Sequence, residues 1–354
     1  MRGAPAINII FIEKAETAAR RGERGIVGLV LKDSTEMKAT LFPNSEMPEG
    51  LSADNQELIK FALTGYETTP KKVLLYVMDS AGEIADEYAK MLKYFETVTV
   101  NWLVFASVKE DSKTADIVEW VKKQRQEKRT VKAVLPSVAA DTEGIVNVDS
   151  SLFIGEKEYP PGKAAVRVAG LLAGTPITIS CAYAPLRDFT DCTRLDRAAM
   201  DTAVDAGKFI FLWDGEKVKV CRGVTSLTTV SETKGKSFSK IKIVEAMDMI
   251  QDDITITVQD NYIGKYPNTY DNKCLLITAI NEYFNELARS GVIQSGICEI
   301  DIQVQRKYLE ENGVDTQDMS DQQIKEANTG SHVFLRATVS ILDAIEDIDL
   351  NIYI

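Results

Sequence analysis

Glu245, Asp248 and Asp252 stand three and four residues apart, a spacing that sets three carboxylates on one face of a helix. Oxygens so placed could hold a hard cation. A solvated or partner-facing acidic face is the commoner use of the same pattern. Asp79, Ser80 and Ser107 close two apolar runs that read as strands, where a parallel sheet would carry an active site. Hydrolysis by a serine triad needs a histidine. The only one, His332, lies far downstream in a strand-like stretch, and no G-x-S-x-G elbow occurs. Gly162-Lys163 is not a phosphate-binding loop, because the glycine five residues earlier and the Ser or Thr after the lysine are both missing. Gly22, Gly25 and Gly28 lead into an apolar strand, IVGLVL, and read as a connector; a dinucleotide fingerprint would open a helix. Cys181, Cys192, Cys221, Cys274 and Cys298 are scattered with no C-x-x-C pair, which predicts reduced structural thiols and no zinc site. We expect no catalytic residues, no cofactor and no metal.

The elements around these residues fall into two patterns. From Lys71 to about Ala173, short apolar runs alternate with amphipathic stretches. Val73–Met78, Val98–Ala106, Val131–Pro136 and Gly144–Val148 read as strands; Glu83 to Phe95, Thr114 to Lys128 and the small-residue run after Pro160-Pro161 read as helices. That alternation predicts an α/β unit with a mainly parallel sheet. Phe42 to Gly50 is turn-rich and reads as a surface loop. Farther on, Val244, Met247, Ile250, Ile254 and Val258 form one helical stripe, and Leu276, Ile280, Tyr283, Phe284 and Leu287 another. Ile300, Ile302 and Val304 alternate as in a strand, as do Val333, Leu335, Ala337, Val339 and Ile341, with a short helix capped at Met319-Ser320-Asp321 between them. Two helices against a small sheet predict a compact α+β domain.

The two ends share a character. Ile7, Ile9 and Phe11 alternate near the start, and Ile348, Leu350, Ile352 and Ile354 alternate at the end, as in half-buried strands. Strand-like arms of this kind complete a sheet, either within one subunit or on a neighbour; the pattern leaves both open. The chain of 354 residues is 45% hydrophobic and 27% charged, enough for two domains plus extensions. A formal charge of −12 argues against nucleic-acid binding. Without a signal-peptide pattern or an apolar run of about eighteen residues, we expect a soluble protein made in the cytoplasm, with no membrane span.

The run from Phe209 to Ile254 carries a family resemblance. Its strand, Asp214-Gly215 turn and strand lead into Arg222-Gly223-Val224 and a Leu227-Thr228 loop. A helix follows that bears Lys240, Met247, Asp248, Ile250, Asp253 and Ile254, with Val218 and Val220 earlier in the series. In order, these residues resemble the contractile tail sheath proteins of phages and R-type bacteriocins, most closely the short sheaths of PBSX-like prophages and diffocin-type particles. Thr225-Ser226 departs from the Asn-Thr of many sheaths. The resemblance implies an α/β outer domain (29–235) and an α+β core domain (236–342), flanked by an N-terminal arm and linker (1–28) and a C-terminal arm strand (343–354). It further implies that Ile7, Ile9, Phe11, Ile348, Leu350, Ile352 and Ile354 add strands to neighbouring subunits. The implied product is stacked hexameric rings around an inner tube, which contract to drive the tube through a cell envelope. The implied partners are the protein itself, the tail tube protein, the baseplate and the tail terminator; the implied location is the virion tail or a released bacteriocin particle. The alternatives are another structural component of the same tail or baseplate, and an α/β enzyme.

Overall fold

A computed structural model describes residues 24–232 and 234–353. Ile7, Ile9, Phe11 and Ile354 lie outside the described residues. The chain divides into two compact units, one comprising residues 24–252 and 341–353, the other residues 253–340.

The first unit is built on a seven-stranded sheet. Its first half runs β1 (Ile26–Asp33), β2 (Met37–Leu41), α1 (Ala53–Leu63), β3 (Lys72–Asp79), α2 (Ile84–Phe95), β4 (Trp102–Phe105), α3 (Thr114–Gln126), β5 (Lys132–Pro136) and β6 (Ile145–Val148). Then come β7 (Leu152–Ile154), β8 (Lys157–Tyr159), α4 (Pro161–Ala173), β9 (Asp191–Cys192), α5 (Arg197–Asp205), β10 (Lys208–Phe209) and the hairpin β11 (Phe211–Trp213)–β12 (Val218–Val220). Strand order is β10-β6-β5-β4-β1-β3-β2, with β2 alone antiparallel. The expected mainly parallel sheet is therefore present, and its strands follow the apolar runs.

Helices cover both faces, which is why the strands read as continuous apolar runs instead of alternating. Val27, Leu29 and Leu31 of β1 face a core closed by Leu58 and Ile59 of α1 and Val166 and Ala169 of α4. Ile26 and Val30 face the opposite core, closed by Tyr88, Met91 and Phe95 of α2 and Ile117 and Val121 of α3. Gly28 lies inside β1, not in a connector before it. A Cβ there would meet Leu103 Cδ1 at 2.7 Å and Phe95 Cε1 at 2.9 Å, so the position takes no side chain.

Helix α6 (Ile241–Asn261) follows a 3-10 turn at Lys236–Ser239. The second unit holds α7 (Tyr270–Arg289), β13 (Ile293–Ile300), α8 (Ile302–Glu311), α9 (Asp321–Glu326) and β14 (Leu335–Ile341). Leu276, Ile280, Tyr283, Phe284 and Leu287 form the buried stripe of α7 and pack on β13, in keeping with the helical face expected from their spacing. Asn281 ties the two elements: its Oδ1 accepts from Cys298 N at 2.7 Å, and its Nδ2 donates to Cys298 O at 3.1 Å. The Tyr283 hydroxyl donates to Asp253 at 2.7 Å.

One expected strand is a helix. Ile302 and Val304, which alternate with Ile300, open α8 because the Asp301 carboxylate accepts from Val304 N at 3.0 Å and caps the first turn. The short helix expected after Met319 is α9, with a capping box between Ser320 and Gln323.

Candidate functional site

The three carboxylates of α6 are built against a basic wall. Lys132 opens β5, and its Nζ lies 2.7 Å from Glu245 Oε1 and 2.6 Å from Asp248 Oδ2. Arg125, in the last turn of α3, grips Asp248 through both terminal nitrogens at 3.0 Å and reaches Glu143 at 3.3 Å. Arg24 binds Glu245 and Asp252 at 3.1 Å each, and the Thr130 hydroxyl donates to Asp252 at 2.8 Å. Lys132 is 1% exposed, and its ammonium also lies 4.9 Å from the centre of the Trp102 ring.

This arrangement corrects the reading of a solvated or partner-facing acidic face. The carboxylates are paired with cations supplied by α3, β5 and the chain before β1, all remote in sequence. Burial raises the Asp248 carboxyl, but Lys132 and Arg125 outweigh it and hold the group below its ordinary range. Glu245 behaves alike under Lys132 and Arg24. Asp252 goes the other way: burial raises it, and Thr130 and Arg24 offset only part. Among the described residues no cluster of His, Cys, Asp and Glu could hold a metal ion.

The residues weighed for hydrolysis are tied into structure. The Ser107 hydroxyl donates to Asp111 at 3.1 Å, which also accepts from Tyr88 at 3.0 Å and pairs with Lys32 at 2.6 Å. Ser80 N donates to Asp33 O, and Ala81 N to the Asp79 carboxylate. His332 stacks on Phe334 and lies within 3.4 Å of the Tyr308 hydroxyl. All five cysteines are free thiols, three of them buried.

The hairpin motif and the loop after it form a hydrogen-bonded cradle. Asp214 accepts from Glu216 N and Lys217 N and pairs with Lys219, closing the turn between β11 and β12. Val218 and Val220 are fully buried. Ser226, where many relatives were expected to carry Thr, donates to Thr142 O at 2.9 Å and accepts from Thr142 N at 3.3 Å. Thr228 N and Thr229 N both donate to Asp141 Oδ1, and the Thr229 side chain together with those bonds holds the Asp141 carboxyl well below its ordinary range.

Arg222, at the lip of the cradle, and Lys240 and Lys242, at the head of α6, meet the arm that follows β14. Lys242 donates to Leu342 O, and Lys240 pairs with Asp343. Glu346 accepts from the Ser180 hydroxyl at 3.0 Å and lies 3.5 Å from Lys240 and 3.6 Å from Arg222. Arg222 also pairs with Asp347, and that contact raises its guanidinium further. Burial opposes the Lys240 charge, but Asp343 and Glu346 prevail and raise it.

Beyond Asp347 the chain changes character. Ile348 is 80% exposed, Leu350 76%, Ile352 76% and Tyr353 92%, and no strand pairs with this stretch among the described residues. The apolar alternation was legible in sequence; its anchorage was not. The only sequence signal for the anchor is the acidic run Asp343, Glu346, Asp347, set just before the apolar positions.

In the second unit, β13 and β14 form a sheet of two strands, with α7 against β13. Ile297 on β13 is 59% exposed. Two strands alone make a marginal sheet, and an unpaired edge is a template for a further strand. Among the described residues nothing pairs with either outer edge.

Comparisons with known proteins agree along the chain. The phage tail sheath protein central domain family matches residues 81–226, and the phage tail sheath C-terminal domain family matches residues 233–354. The tail sheath protein of Clostridium phage phiCD119 is 38% identical over 359 residues, covering 99% of each chain. The sheath tail protein of Desulfitobacterium hafniense shares the fold with a TM-score of 0.69 at 19% identity, over 84% of this chain and 94% of that one. The helical sheath of the anti-feeding prophage, in its contracted state, gives a TM-score of 0.69 at 12% identity, over 100% of this chain and 99% of that one.

Proposed function

Because this chain belongs to the phage tail sheath family, we propose that it is a subunit that knits itself to its neighbours by exchanging strands. The family is the one its Phe209–Ile254 run resembles. In this reading Ile348, Leu350, Ile352 and Ile354, with Ile7, Ile9 and Phe11 of the opposite arm, add strands to the α+β domain of adjacent copies. One observation carries the reading. Among the described residues, a stretch of alternating apolar positions stands exposed without a strand partner, and a two-stranded sheet has both outer edges unpaired. Main-chain ladder bonds would supply affinity and the alternating side chains register.

The functional boundaries proposed are an N-terminal arm and linker to residue 28, an outer α/β domain to 235, a core domain to 342 and the arm strand thereafter. A contact that joins two different surfaces propagates as an open helix or closes into rings. The assembly proposed is stacked six-membered rings around a tail tube, bounded by baseplate and terminator and placed in a virion tail or released particle. Contraction would remake contacts between rigid bodies while the exchanged strands persist. The chain then works as a mechanical part with no catalytic step, no cofactor and no nucleic-acid partner. The three carboxylates that spacing set on one face of α6 are already matched by Lys132, Arg125 and Arg24.

Electron microscopy of the purified protein, alone and with its tube partner, tests the proposal. Tubular polymers from the intact chain, and none from a chain ending at Leu342 that still folds, are expected. Normal tubes from the shortened chain would sink the exchange mechanism.

A further inference from the structure

We infer that Glu346 is the root of the donated strand: a fixed point on its own subunit, beyond which the chain is free to leave. The inference rests on the exchange reading above and assigns it a boundary. Among the arm's acids Glu346 alone is nearly buried. Its side chain is 10% exposed, against 38% for Asp343 and 76% for Asp347. It meets three partners from three separate parts of the unit: Ser180 before the cradle, Arg222 after β12 and Lys240 ahead of α6. The flanking pairs Lys240–Asp343 and Arg222–Asp347 and the Lys242 bond to Leu342 O extend the grip to residues 342, 343 and 347.

Isolated surface ion pairs contribute little. A shared network around a nearly buried carboxylate, with a main-chain carbonyl satisfied by a buried lysine, is a built site. Apolar packing does not account for it, since Ile345 within the gripped segment is 87% exposed. The grip orders backbone that would otherwise be ordered only on assembly, and ordering one residue in advance removes about 1–2 kcal/mol from that later cost. It also sets reach. An extended chain from Ile348 to Ile354 spans about 20 Å, so the accepting edge on a neighbouring copy must come within about that distance of the gripped segment.

The test pairs a readout on the monomer with one on the polymer. Full-length protein labelled at isoleucine δ1 methyls is compared as wild type, Glu346→Ala, Glu346→Gln, Arg222→Ala/Lys240→Ala and the control Asp349→Ala. Methyl relaxation of Ile345 and Ile348 is measured on monomer, and polymer growth is followed by light scattering and microscopy. We expect Glu346→Ala and the double variant to bring both methyls to the mobility of Ile352 and to slow polymer growth about tenfold, the effect of leaving one residue to be ordered during assembly. Glu346→Gln, which keeps an acceptor for Ser180, should fall between, and Asp349→Ala should match wild type. Unchanged methyl mobility in both Glu346→Ala and the double variant would overturn the root. Loosened methyls with undiminished growth would overturn its part in assembly. Wild type that never polymerises would sink the exchange reading while the methyls still report on the grip.

Discussion

The Lys132 ammonium sits 2.6 Å from Asp248 and 2.7 Å from Glu245, inside a wall that leaves it 1% exposed. A charge this deep is held by its partners, and removing one strands the others. Lys132→Met should therefore destabilise the protein by about 3 kcal/mol, measured by urea unfolding. Adding Asp248→Asn should recover part of the loss, because one uncompensated charge goes with it. A loss no larger than that of an exposed lysine, such as Lys60→Met, would refute the account.

Acid should attack the same lock. Asp248, Glu245 and Glu143 are all held below their ordinary range. A depressed carboxyl contributes stability that is present above its unfolded value, about pH 4, and is lost as pH falls through the folded value. Asp252 is shifted up, so its folded form takes a proton earlier and blunts the loss. Thermal midpoints should hold from pH 7 to about 5 and drop steeply below about 4. A midpoint unchanged at pH 3 would contradict the pairing.

Charges placed on the exposed stripe separate folding from assembly. Leu350 and Ile352 are each 76% exposed, so Leu350→Asp and Ile352→Asp should alter monomer stability by less than about 0.5 kcal/mol. The same changes should abolish tubular polymers, because a buried strand face does not accept unpaired carboxylates. Tubes of normal length from the double variant would contradict the exchange of this segment.

Gly296 lies where β13 crosses α7. A Cβ there would fall 2.7 Å from Phe284 Cγ, and Phe284 is a buried ring with little room to turn. Gly296→Ala should cost about 1–3 kcal/mol through overpacking, whereas Ile297→Ala, one residue on and exposed, should be nearly neutral. Equal effects of the two would show that the ring yields.

Thiol chemistry should divide the cysteines. Burial pushes Cys181 up to about 12 and Cys192 and Cys298 up to about 11. At pH 8 their alkylation should lag that of half-buried Cys274 on the order of a hundredfold, read by mass spectrometry. Denaturant should erase the difference. Prompt labelling of Cys181 in the folded protein would be inconsistent with its place in the core.

Local patterns carried much of the fold, and remote pairings carried the rest. The runs at Val73, Leu103 and Val134 read as strands because both sheet faces are covered and nearly every residue is apolar, Asn101 and Lys132 being buried exceptions. Strand β2 and helices α1 and α5 were not singled out: β2 is a half-exposed edge, and α5 buries no residue, so neither leaves a strong periodic trace. Ile302 and Val304 misled because alternation over three residues is shared by a strand and by the first turn of a helix, and only the Asp301 cap decides. The acidic face of α6 misled for a different reason. Spacing reveals that carboxylates share a face, but Lys132, Arg125 and Arg24, which complete them, lie more than a hundred residues away. The arm divides likewise: its apolar alternation is local and legible, and its grip by Ser180, Arg222 and Lys240 is neither.

That grip limits how the sequence can change. Glu346 answers to Ser180, Arg222 and Lys240 together, so its replacement is tolerable only alongside changes at positions more than a hundred residues upstream. A chimera given the tail of a distant relative would inherit a strand that fits an edge and a root that fits nothing. Tail and cradle should therefore be transplanted, and should diversify, as one inherited block.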